Sequence, residues 1–127
     1  MPSWKDYKSI AKSRGALAHE LFVVFSVAKP DADIPSVLGD HLAYQAQLEA
    51  ANHLAFAGPL SDDAGEENSG DGLIVYRAQS LDEARAIANA DPMHASGTRS
   101  YTLRRWLVNE GSFTLNIGLS GNRIGFD

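Results

Sequence analysis

Two ionisable residues, His41 and Asp91, lie in the stretches Asp40-His41-Leu42 and Ala90-Asp91-Pro92, at helix positions that should carry apolar side chains. At about 100° per residue, His41 shares a helix face with Val37, Tyr44 and Leu48, and Gln45 lies beside it. Asp91 falls in phase with Ala84, Ile87 and Ala88. An ionisable group aimed into a fold needs a partner or a task. An unperturbed histidine titrates near ~6.5, which suits proton transfer close to neutrality. A carboxylate beside it would orient the ring and favour its protonated form. If both helices lie on one sheet, the pair faces a single cavity. Tyr44, Gln45 and His94 are then the candidate ligand contacts. Each residue also has a plainer local reading. His41 can be a half-buried histidine bonded to backbone or to Tyr44. Asp91 can cap a short turn over Pro92 to Ser96, because Asp before Pro is a strong N-cap, and one oxygen can cap while the other faces the cavity.

Other chemistries find little support. There is no cysteine and no His-x-x-x-His spacing, so no metal site is expected. No nucleophile elbow is present and no glycine-rich phosphate loop opens a helix, so no cofactor is expected either. The acidic stretch with Asp62, Asp63, Glu66, Glu67 and Asp71 matches no calcium-loop spacing and reads as a solvated, mobile loop. His19 and His53 belong to no constellation. A net charge of −5 argues against a nucleic-acid surface. Lys5, Asp6, Lys8 and Lys12 interrupt any leading apolar run, and Leu21 to Ala28 is too short to cross a bilayer. The expectation is a soluble cytoplasmic protein with neither membrane nor nucleic acid as partner.

The chain of 127 residues is long enough for one domain with its own core. Ser3 caps a short amphipathic helix carrying Trp4, Tyr7 and Ala11, which ends before Gly15. Leu21 to Val27 is a strand apolar on both faces. Such a strand is buried on both, one face meeting helices and the other a second subunit, so a homodimer or higher homo-oligomer is expected. A helix follows from about Pro35 to Asn52, a short strand over Leu54 to Ala57, and a break at Gly58-Pro59. Gly70-Asp71-Gly72 reads as a turn before the strand Leu73 to Ala78. Ser80-Leu81-Asp82-Glu83 is a capping box opening a helix that Pro92 closes. Thr98 to Val108 is a long strand, with Tyr101, Leu103 and Leu107 on one face. Phe113 to Leu119 alternates again, Ser120-Gly121-Asn122 turns, and Arg123 to Phe126 returns as a hairpin arm. The middle is therefore β-α-β-β-α-β, the α+β ferredoxin-like arrangement, with both helices on one face of an antiparallel sheet.

The stretches His41-Leu42, Ala57-Gly58-Pro59-Leu60, Ser80-Leu81-Asp82-Glu83-Ala84 and Ala90-Asp91-Pro92-Met93 resemble the YciI-like (YCII-related) family over about residues 21–108. The N-terminal helix, residues 1–20, and the hairpin, residues 110–127, then read as extensions of a single domain. The resemblance implies a dimeric α+β barrel and a His–Asp active site falling on His41 and Asp91. Most members have no assigned reaction. A few relatives are dehydrochlorinases or dehalogenating lyases acting on chlorinated aromatic breakdown products, and the similar muconolactone isomerases share the barrel. Family members often carry arginines a turn before the histidine, where this chain has Val37 and Leu38. Arg77, Arg99, Arg104 or Arg105 would have to supply a cation from a strand. The expectation is a cofactor-independent lyase or isomerase moving a proton on a cyclic or aromatic organic acid. The alternative is a non-catalytic module that holds a small ligand or serves dimerisation.

Overall fold

The computed structural model describes residues 1–126. The element order is α1 (Trp4–Ser13), β1 (His19–Ala28), α2 (Ile34–Ala50), β2 (Leu54–Ser61), β3 (Asn68–Tyr76), α3 (Leu81–Ala90), α4 (Pro92–Ala95), β4 (Arg99–Val108), β5 (Asn116–Gly118) and β6 (Arg123–Gly125). The chain forms two compact units: Glu20–Trp106, and a smaller one of Met1–His19 with Leu107–Asp127.

The larger unit is the ferredoxin-like α+β fold. Its sheet has the order β2-β3-β1-β4. β3 runs antiparallel to both neighbours, with Phe22 opposite Tyr76, Val24 opposite Ile74 and Ser26 opposite Gly72. Strand alternation divides the apolar run of β1 between two faces. Phe22 and Val24 enter a core with Leu48 of α2, Ile74 and Tyr76 of β3, and Ala84 and Ala88 of α3. Burying a side chain such as Phe22 is worth about 1.5–3 kcal/mol. Ala84 and Ala88 are fully buried, and having nothing beyond Cβ they let α3 lie close to the strands. Part of the other face of the sheet is open, with Phe25 and Trp106 at 39% and 43% exposure, while Leu21 and Val75 on that face are buried.

Several local expectations are corrected. Gly58-Pro59 does not end β2, which runs on to Ser61. β2 is an edge strand with a register shift between Pro59 and Ser61, and an edge tolerates a missing N–H. Gly70-Asp71-Gly72 lies inside β3 rather than before it, with Gly70 at φ +86°. The acidic loop is shorter than expected, residues 62–67, because β2 and β3 both extend into the stretch. Asp62 Oδ1 accepts from the N–H groups of Glu66 and Glu67 at 3.0 and 3.4 Å, and these bonds hold its carboxyl below the usual range. α2 ends two residues early, and Asn52 at φ +63° turns the chain in the left-handed region where asparagine is tolerated. At α3, Ser80 Oγ accepts from Glu83 N at 3.1 Å, while the Glu83 carboxylate reaches Gln79 N rather than the Ser80 N–H.

Tyr76 is fully buried and its hydroxyl has no hydrogen-bond partner among the described residues. Leaving a buried polar group unpaired costs about 1–3 kcal/mol. Tyr76→Phe should therefore raise the unfolding free energy by about 1 kcal/mol in urea titration. A loss of stability would show that the hydroxyl has a partner in solution.

In the smaller unit, Ser3 Oγ accepts from Asp6 N at 3.1 Å and caps α1, whose Ala11 packs with Ala18 and Leu107. β5 and β6 pair Ile117 with Ile124. The expected strand over Phe113 to Leu119 shrinks to three residues, since only that short ladder finds a partner. Among the described residues, no helix is long and apolar enough to cross a membrane.

Candidate active site

Asp91 ends α3 and begins α4. Because it precedes Pro92 its backbone is extended, at φ −60° and ψ 124°. The side chain is thereby turned inward and is fully buried. Oδ1 accepts the Met93 N–H at 2.9 Å, so the capping role is real. The same oxygen lies 2.8 Å from His41 Nδ1, and Oδ2 lies 3.0 Å from it. One oxygen thus serves both roles, where a division between the two oxygens was expected. With a carboxylate as acceptor, Nδ1 carries a proton, and in the neutral ring Nε2 is then the nitrogen with the lone pair. His41 lines a cavity of about 620 Å³ and its side chain is 16% exposed. That volume is in the range of small-molecule sites.

The cavity lies between α2 and the sheet. Leu38, Leu42 and Gln45 face it from α2, Ala57 and Pro59 from β2, Ile74 from β3, and Met93 and Arg99 from beyond α3. It is apolar apart from a few polar groups, as ligand sites usually are. Gln45 is therefore at the cavity with His41. Tyr44 is not: its hydroxyl donates to the Ile87 carbonyl at 2.7 Å, and its ring packs on the core. Burial, and then Asp91, push that hydroxyl above its ordinary pKa. His94 also turns away from the lining. Its Nδ1 donates to the Ala88 carbonyl at 2.8 Å, and Nε2 accepts from Ser26 Oγ at 2.9 Å.

Of the four arginines considered from sequence, Arg99 alone reaches the cavity. Arg77 is bonded to the Leu54 carbonyl at 3.1 Å, Arg105 lies 3.6 Å from Glu20, and Arg104 is exposed. Ser26 was missed. A signal existed, because it follows Phe22 and Val24 at the inward phase of an otherwise apolar strand and is 3% exposed. His53 donates from Nδ1 to the Arg77 carbonyl at 3.1 Å, away from the cavity lining. Among the described residues, no three His, Asp or Glu side chains converge as a metal site would require.

Burial is the main cause that lowers the His94 pKa; the Ala88 carbonyl and Asp91 oppose it, while His41 and Arg99 add to it. A histidine depressed in the fold is protonated more readily when unfolded, so its contribution to stability is present above ~6.5 and is lost as pH falls through the folded value. Wild type should lose stability on acidification below about pH 6.5 more steeply than His94→Gln. Urea titrations from pH 7.5 downward check this, and parallel slopes would contradict it.

A family model for the YCII-related domain matches residues 21–107. The uncharacterized protein YjpA of Bacillus subtilis (strain 168) is 38% identical over 66 residues, spanning 52% of this chain and 71% of that protein. The structure of 5-chloro-2-hydroxyhydroquinone dehydrochlorinase (TftG) from Burkholderia phenoliruptrix AC1100, in complex with 2,5-dihydroxybenzoquinone, superposes with a TM-score of 0.56. It is 23% identical and covers 68% of this chain and 92% of its own, a likeness of fold. The chain belongs to the YCII-related domain family.

Proposed function

We propose that the protein is a small-molecule lyase or isomerase in which His41 moves a proton on a cyclic or aromatic organic acid. One observation carries this reading: a buried carboxyl 2.8 Å from His41 Nδ1 leaves Nε2 as the basic atom of a residue lining a roomy cavity. His41 is the general base and Asp91 positions it and balances the charge it acquires. Gln45 is a substrate contact. In the dehydrochlorination version, Nε2 takes a proton from the substrate. The released electron pair forms a new π bond, chloride leaves with its bonding electrons, and the products balance as HCl. That version is favoured by the likeness to the dehydrochlorinase. A purely ligand-holding module has no need of an imidazole oriented in this way.

The open sheet face, with Phe25 and Val27 at 39% and 36% exposure, pairs with a second copy in this reading. Sedimentation equilibrium should give twice the chain mass, and a monomer at micromolar concentration would remove the dimer from the proposal.

The test of function is anaerobic incubation with 5-chloro-2-hydroxyhydroquinone and a panel of chlorinated hydroxybenzoic acids. Chloride release and exchange of ring hydrogen for deuterium are the readouts. Wild type should turn over at least one compound, and His41→Ala should lose about 10²–10⁴-fold. Turnover that persists in His41→Ala would exclude the histidine as base.

A further inference from the structure

Arg99 starts β4, yet its side chain reaches across β1 to β3 on the cavity side. Nε donates to Ser26 Oγ at 2.9 Å. Nη2 donates to the Ser26 carbonyl at 2.9 Å and to the Gly70 carbonyl at 2.6 Å. Those bonds use the Nε proton and both protons of Nη2, so Nη1 keeps two donors with no protein partner among the described residues. Ser26 is itself held. It accepts from Arg99, so its hydroxyl proton goes to His94 Nε2 at 2.9 Å, and His94 Nδ1 is tied to the Ala88 carbonyl at 2.8 Å. The guanidinium is thus pinned on one edge by neutral acceptors.

A guanidinium stays charged at any working pH, and no carboxylate pairs with this one among the described residues. Asp71, the acidic residue along the cavity, sits in register with Val27, on the strand phase opposite to Ser26. A partly buried cation without a counter-ion is costly, and an incoming anion removes that cost. Its fixed geometry also spares most of the ordering entropy of binding.

We propose that Arg99 is the anion anchor of the cavity, selecting flat organic carboxylates whose charged group meets Nη1 while the apolar body lies toward His41. This rests on reading the cavity as the substrate site, and it supplies the cation absent at Val37 and Leu38. Ser26 and His94 are positioning residues for the anchor.

Benzoate and its neutral isostere benzamide are the probes, titrated into wild type, Arg99→Met, Arg99→Lys, Ser26→Ala and His41→Ala. Wild type should prefer benzoate by about tenfold, equivalent to ~1.4 kcal/mol. Arg99→Met should abolish the preference, and Arg99→Lys should keep part of it. Ser26→Ala should weaken benzoate but not benzamide. In the wild-type protein, benzoate alone should shift the Arg99 Nε–H signal in heteronuclear NMR, a readout that needs no variant to fold. Equal binding of the two probes, binding of neither, or a preference that survives in Arg99→Met would overturn the anchor. His41→Ala separates the two ideas. A benzoate preference retained there, beside a failed turnover assay, sinks the proton-transfer reading and leaves the anchor standing. Turnover that is indifferent to Arg99 does the reverse.

Discussion

Asp91→Ala is expected to lower the unfolding free energy by about 3–5 kcal/mol, among the largest effects of any single change in the larger unit. Two losses combine. The Met93 N–H, buried and bonded at 2.9 Å, is left without an acceptor, which costs about 1–3 kcal/mol. That bond is also the N-cap of α4, so the loss of the cap is this same term. His41 loses its buried partner and keeps only the water that its 16% exposure admits. Urea unfolding measures the sum. Asp91→Asn should lose far less, because an amide oxygen still accepts the Met93 N–H. If Asp91→Ala stays within about 0.5 kcal/mol of wild type, the residue is not the structural joint described here.

The second large effect is kinetic and uses that milder variant. Asp91→Asn is expected to lower kcat by about 10²–10⁴-fold on any compound that wild type turns over. In wild type, both carboxyl oxygens lie within 3.0 Å of His41 Nδ1. An amide puts an NH2 where one of those oxygens was and sets N–H against N–H. The ring escapes by moving its proton to Nε2, which removes the lone pair that would take the substrate proton. Benzoate binding should be unchanged, so the loss falls on kcat and not on KM. An Asp91→Asn enzyme as fast as wild type would show that Nε2 is not the base.

Much of the frame is legible locally. Ser3 and Ser80 announce their helices because a hydroxyl that accepts an early N–H needs only the next few residues. The inward phase of Tyr101 and Leu103 follows from alternation, and both pack on the core. Gly58-Pro59 misled for a reason beyond local sequence. Whether a proline breaks a strand depends on that strand's place in the sheet, and β2 lies at an edge. Tyr44 shares the helix face of His41, yet a face is wide enough to point one ring at a cavity and the next at the Ile87 carbonyl.

For the site itself, sequence alone determined that His41 sits on an inward helix face, because helical phase is a property of neighbouring residues. Asp91 instead lies beyond the last helical residue of α3 and is turned inward by the extended backbone before Pro92. Tertiary structure decided everything that depends on residues far apart in the chain. Asp91 meets Nδ1 across 50 positions, which selects Nε2 as the free nitrogen. Arg99 meets Ser26 across 73 positions because β4 lies beside β1, and this made one arginine of four the cation of the cavity. Periodicity states which way a side chain leaves its own element. Strand order and helix packing determine what it finds there.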